Sequence, residues 1–306
     1  MKPFRRTALA TLLLAAAVLL PGCAAVDQVT QVGAVVAESA GVVTKDQAQS
    51  ISRSSSAMAK AAEDFTPEQE YYVGRSVGAV IVNRYKPLSN PQANAYLNLV
   101  GQALAMASDR PETFGGYHFL VLDSDEINAF ASPGGLIFVS RGMLRLCKNE
   151  DEFAAVLAHE VAHVQLRHGI DSIEKSRKTA ALTTLAAEGA KTFGKKELAD
   201  LTRTFEGSVS DITSTLVNNG YSRSFERDAD AAAMKILSRV GYNPYALAAM
   251  LREMGKRLKP GGADFAKTHP SPASRIADIE STGAYGPGSP APPARQARFQ
   301  RALGDL

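Results

Sequence analysis

From Thr66 onward the spacing of apolar residues alternates between helical and strand-like periods. Thr66-Pro67-Glu68-Gln69 has the layout of a helix start: a hydroxyl N-cap, proline at the first helical position and a glutamine that can close a capping box. Val73, Val77, Val80 and Ile81 then share one face. Asn90-Pro91 opens a second helix whose buried positions are Tyr96, Leu97, Val100 and Leu104. Short β-rich runs follow at 117–122, 127–131 and 136–140. Ser132-Pro133-Gly134-Gly135 separates the last two, which predicts an antiparallel hairpin in a small sheet. Asn149 followed by Glu150, Asp151 and Glu152 caps another helix, expected to run to His168 and stop at Gly169.

The second half is helical. Residues 170–220 are rich in Ala, Thr and Lys with Gly189, Gly194 and Gly207 between them, which predicts loosely held helix, part of it a lid over a cleft. A helix over 221–240 buries Ala233, Ile236, Leu237 and Val240 and closes at Gly241, and Asn243-Pro244 and Ser271-Pro272 start two more. The fold class expected is α+β, mainly helical with a small β-sheet. The tail over 282–306, with GPGSPAPPAR, is expected to be disordered.

The first 64 residues read differently. Lys2, Arg5 and Arg6 precede an apolar run too short to span a bilayer, the layout of an export signal over 1–22. Leu20-Pro21-Gly22-Cys23 resembles a bacterial lipobox, which makes Cys23 the lipidated N-terminus and the membrane anchor. Ala24 after it, rather than an inner-membrane-retaining Asp, favours the periplasmic face of the outer membrane. Residues 23–64, rich in Ala, Val, Ser and Gln, suit a flexible spacer, and 65–281 is the expected folded domain.

Loss of the signal takes three of the 34 basic residues and brings them level with the 31 acidic ones. With no net positive charge and no Trp, the chain lacks the electrostatic footprint of a nucleic-acid binder. Cys147, left without a partner thiol, is expected to pack as a small buried hydrophobe.

The candidate chemistry lies in LAHEVAHVQLRHG. Four residues apart on a helix is about 40° of rotation and about 6 Å of rise, so His159 and His163 can meet one ion while Glu160 reaches a water beside it. The motif is short, so a third ligand has to be found. A third histidine two turns on would fall at position 169, which is glycine. His168, nine residues from His159, points to the opposite side of a continuous helix, where the C-terminal dipole favours positive charge. Among the downstream glutamates only Glu226 has an acid four residues on. Glu226 could ligate while Asp230 orients a ligand histidine, or the pair could be a solvated acidic face. His118 reads as structural or solvent-facing.

NAFASPGGLIFVSRGML, LAHEVAHVQLRHG, YSRSFERDADAAAMKIL and THPSPASRI, in that order, resemble the HtpX-like and mitochondrial Oma-like zinc metalloendopeptidases, a gluzincin family with a zincin-like fold. The resemblance runs from about Thr66 to Glu280. It implies one zinc held by His159, His163 and Glu226, Glu160 as general base, and an extended substrate along Asn128, Ala129 and Phe130. It also places His269 and Arg275 near the site, with His269 a fourth zinc ligand that keeps the enzyme latent or, like Arg275, an oxyanion stabiliser; the alternative is a helix-capping histidine outside the site. With neither the transmembrane helices nor the C-terminal repeat domain of many relatives, the chain looks most like stand-alone envelope lipoprotein members. The function expected is a membrane-tethered endopeptidase for misfolded or misassembled envelope proteins, working with protein or peptide substrates and no nucleic acid, with envelope assembly machinery as a further partner. The alternatives are a chaperone-like factor using a latent cleft and a small-amide hydrolase.

Overall fold

The computed structural model describes residues 23–41, 44–46, 48, 49, 52, 64–174, 220–257, 269–283, 285 and 291–306. The export signal and most of the expected lid lie outside these. The chain divides into two compact units, 1–64 with 172–208, and 65–171 with 209–306. Among the described residues no helix is long and apolar enough to cross a membrane.

In the first unit, Cys23–Ser39, within the expected spacer, is helix α1. The Ala-rich, proline-free sequence favours helix, and Gln31 donates to Asp27 one turn back at 2.9 Å.

The second unit contains the remaining elements. Helix α2 (Pro67–Tyr85) starts at the Thr66 capping box, and α3 (Pro91–Met106) starts where Asn90 accepts from the Ala93 amide. On α2 the buried face is Gly74, Val77, Gly78, Ile81 and Tyr85; Val73 is only half-buried and Val80 is exposed. The glycines explain the shift, because α2 lies directly on the Pro133 turn: a Cβ at Gly74 would sit 1.8 Å from the Pro133 carbonyl oxygen.

Strands β1 (His118–Leu122), β2 (Ala129–Ser132) and β3 (Leu136–Ser140) form one sheet in the order β1-β3-β2. The β2–β3 hairpin is antiparallel as expected, and β1 pairs parallel to β3. In the turn, Gly134 takes φ 77°, and its amide donates to buried Glu70 of α2 at 3.2 Å. A short helix α4 (Arg141–Leu146) leads to α5 (Glu150–Gln165), whose Asn149 cap accepts from the Glu152 amide.

Helix α5 is the centre of the unit. Every residue from Glu150 to Val164 is buried, and it packs on α3, β2, α6 (Arg223–Val240) and α7 (Ala246–Arg257). Helix α6 begins at the Ser222 cap and ends at Gly241 in the left-handed region, burying Ala233, Ile236 and Leu237 with Val240 half-buried. The helix after Asn243-Pro244 starts later than that dipeptide suggests, at Ala246. Helix α8 (Pro272–Ser281) follows Ser271.

The tail expected to be disordered carries a further helix, α9 (Pro293–Leu303). Phe299 and Leu303 are buried one turn apart, Phe299 lies 6.3 Å from the Phe153 ring, Arg295 donates to Asp151 at 3.0 Å, and Arg298 pairs with Glu150. Two apolar residues and two arginines suffice to dock a helix whose average composition is polar. Cys147 is buried as expected, and burial pushes its thiol far above the usual range.

Candidate metal centre

A helix buried on all sides has no solvated face for polar side chains, so His159, Glu160 and His163, each 2–3% exposed, must find partners inside the protein. Helix α6 supplies most of them. Its Glu226 brings Oε2 to 3.5 Å from His159 Nε2 and Oε1 to 3.5 Å from His163 Nε2, and the two Nε2 atoms are 3.1 Å apart. His269, just ahead of α8, puts Nδ1 2.8 Å from Glu226 Oε1. Potential ligand atoms of His159, His163, Glu226 and His269 all lie within 4.8 Å of one another.

This donor set fits zinc. Four ligands at about 2.0–2.1 Å in a tetrahedron stand about 3.4 Å apart, close to these separations, and two or three imidazoles with a carboxylate suit that ion. Two imidazole nitrogens facing each other also need a shared cation or proton between them. Glu160 Oε1 is buried without a hydrogen-bond partner in the protein. The metal-free electrostatics point the same way. Burial opposes charge on His159, yet Asp230 and Glu226 lift it to about 9. His163 is driven well below the ordinary value by burial and by its histidine neighbours. Glu226 stays ionised far below the usual carboxylate range: burial opposes this, but His269 and Arg275 outweigh it.

The remaining groups hold the donors. Asp230 Oδ1 accepts from His159 Nδ1 at 3.0 Å, leaving Nε2 to face the centre. Arg275 of α8 grips Asp230 with Nε at 2.9 Å and Nη2 at 2.5 Å, and its Nη1 is 3.3 Å from Glu226. Its guanidinium thus engages both α6 carboxylates, and its Nη2 also lies 3.2 Å from His159 Nδ1. The Glu226 and Asp230 side chains are buried, so the solvated acidic face is excluded. Glu160 is pushed up to about 7, chiefly by burial, with Glu226 adding to the rise and His159 and Arg275 opposing it.

His168 departs from the sequence expectation. Helix α5 stops at Gln165, Leu166 caps it, and Arg167 takes φ 56° before a new helical segment begins at His168. The phase argument for a continuous helix therefore does not apply: the reversal brings His168 Nδ1 to 2.8 Å from His163 Nδ1. Burial lowers its pKa to about 4, the opposite of the positive charge expected at a helix end. Tyr221 stacks on His163 with centroids 4.5 Å apart, and Phe225 stacks on His168 at 4.3 Å. The turn rests on a left-handed residue, and nothing in the local sequence marks Arg167 as one.

Strand β2 stands at one end of the strand order and packs against α5. Asn128, Ala129 and Phe130 are nevertheless 1–2% exposed. His118 is exposed, as expected.

Comparison with known proteins agrees with this geometry. The model of peptidase family M48 matches residues 91–283. The beta-barrel assembly-enhancing protease of Escherichia coli K12 is 31% identical over 219 residues, covering 69% of this chain and 42% of that protein. The putative beta-barrel assembly-enhancing protease of Vibrio cholerae is 26% identical over 71% of this chain and 45% of its own length. The mitochondrial metalloendopeptidase OMA1 of Schizosaccharomyces pombe is 34% identical over 50% of this chain and 42% of its own. The chain thus spans less than half the length of these relatives. The match to the family model covers α3 to α8, including both helices that converge on the donor set, and the chain belongs to peptidase family M48, the zinc-dependent metallopeptidases.

Proposed function

We propose that this chain is a zinc metalloendopeptidase of the bacterial cell envelope, cleaving misfolded or misassembled proteins and tethered by lipid at Cys23. The observation that carries the catalytic part is one buried cluster with four donor side chains and an adjacent glutamate, Glu160, that has an oxygen unengaged by the protein. The names of the relatives, a beta-barrel assembly-enhancing protease and a mitochondrial metalloendopeptidase, support protein substrates and, for the bacterial ones, a link to envelope assembly machinery. The lipobox-like sequence and Ala24 support anchoring at the outer membrane's periplasmic face.

Bound zinc supplies a Lewis acid that activates water and polarises a peptide carbonyl. Glu160 takes the proton from the attacking water and delivers it to the leaving amine. Asp230 keeps His159 in the tautomer that presents Nε2, and Arg275 holds Asp230. The peptide lies along the outer edge of β2, with Asn128, Ala129 and Phe130 opposite its backbone.

His269 favours a latent resting form, because a donor within hydrogen-bond distance of Glu226 can complete a closed four-ligand site with no place for water. The same closed cleft would serve the second reading, a client-holding factor with slow hydrolysis. Zinc content and casein hydrolysis of the purified chain, beside Glu160→Gln, test the proposal. One zinc per chain and a drop of about 10²–10⁴ in hydrolysis for the variant support it. Zinc with no hydrolysis in either protein supports the latent form if His269→Ala then releases hydrolysis and the client-holding reading if it does not, and absence of zinc sinks both.

A further inference from the structure

We propose that His168 is a positioning residue for the metal ligand His163, accepting a hydrogen bond from its distal ring nitrogen and so holding Nε2 toward the zinc. This rests on the assignment of His163 as a ligand, made above. The side chain sits 2.8 Å from His163 through the two Nδ1 atoms. A neutral imidazole that ligates through Nε2 carries its proton on Nδ1. The only role left to His168 Nδ1 in that pair is acceptor, with its own proton on Nε2.

The surroundings fix His168 in that orientation. Phe225, one residue before Glu226, stacks face to face on its ring at an interplanar angle of 4°. Tyr221 covers the His163 ring at 20°, so the two imidazoles are clamped by two aromatics from one short stretch. At the other side, Arg167 donates to the Phe65 carbonyl at 3.0 Å and its Nε lies 3.4 Å from Glu70, which pins the turn that returns His168 to the site. The two ligand histidines are then oriented by different chemistry. His159 has a carboxylate, Asp230; His163 has a neutral imidazole. A carboxylate there would add a further buried negative charge beside Glu160 and Glu226.

The test is zinc affinity, measured by chelator competition on the full chain, for His168→Phe and His168→Asn. Phenylalanine keeps an aromatic ring for the stack and removes the acceptor; asparagine offers an amide oxygen in its place. The expected result is a loss of about 10–100-fold for His168→Phe with partial recovery in His168→Asn, at similar thermal stability of the metal-free proteins. Replacing zinc by cobalt should also shift the visible absorption of His168→Phe, since the His163 ligand field changes. Affinity within twofold of the unaltered chain for His168→Phe, or equal losses in both variants that follow the fall in metal-free stability, would overturn the inference and reduce His168 to packing. Failure of the unaltered chain to bind zinc would instead overturn the ligand assignment.

Discussion

Arg298 of α9 and Glu150 at the start of α5 form an ion pair across 148 residues of sequence. Both guanidinium nitrogens engaged there address the same carboxylate, which also accepts from Tyr96 at 2.6 Å and Tyr242 at 2.8 Å. The C-terminal helix is thereby tied to the helix that carries His159, Glu160 and His163. Removing Arg298 leaves a buried carboxylate with only two phenols. We expect Arg298→Ala to destabilise the chain by about 1.5–3 kcal/mol in urea denaturation, below the cost of a fully buried pair because Arg298 is itself half exposed.

The same carboxylate predicts acid sensitivity. Burial acts to raise the Glu150 pKa, but Arg298, Tyr96 and Tyr242 outweigh it and hold it below the ordinary 4.5. A depressed folded-state pKa means that this contribution is fully present above the unfolded value and is lost as pH falls through the folded one. Stability should therefore decline below about pH 4.5, and more steeply in the unaltered chain than in Arg298→Ala. Parallel slopes for the two proteins in urea titrations over pH 3–6 would refute the assignment.

What the sequence reveals follows from how local each determinant is. The caps at Thr66, Asn90 and Asn149 form within three residues, and the spacing of His159 and His163 within one turn, so both are readable along the chain. Glu226 and Asp230 needed family resemblance to choose between ligand and solvated face. Helix α9 was obscured because two apolar anchors among prolines and arginines make a weak pattern, and its stability comes from Glu150, Asp151 and Phe153 far upstream. Helical phase misplaces His168 because the helix ends at Gln165 and Arg167 takes a left-handed conformation before the next helical segment.

Gly74 carries a close backbone approach. A methyl group there would overlap the Pro133 carbonyl, so Gly74→Ala must push α2 off the β2–β3 turn. We expect a cost of about 1–3 kcal/mol by chemical denaturation. Gly116, whose Cβ would meet nothing closer than 3.9 Å but which has φ 74°, should cost no more than about 1–2 kcal/mol as alanine, from backbone conformation alone.

Asp230 and Arg275 should differ in how their loss reads out. Asp230→Asn keeps an oxygen for His159 Nδ1 but removes the charge that Arg275 grips, and is expected to weaken zinc binding about 10–100-fold. Arg275→Lys retains the charge and loses the two-point contact with Asp230, so it should lower affinity less than Asp230→Asn. Equal zinc affinity in all three proteins, by chelator competition, would mean that α8 does not brace the centre.

His269→Ala separates the two roles open to this histidine. Its Nδ1 lies against Glu226 Oε1, on the donor cluster itself, and it follows no helical constraint of α5 or α6 because it enters from the segment ahead of α8. A latching fourth ligand can leave without dismantling the other three, so alanine should retain zinc while raising casein hydrolysis. A group that serves the reacting carbonyl gives the reverse: unchanged zinc content with hydrolysis reduced by about 10²–10³. Since His159 keeps Asp230, His163 keeps His168 and Glu226 keeps Arg275 when His269 is removed, the latch predicts the first result, read as zinc stoichiometry and initial rate on the same preparation.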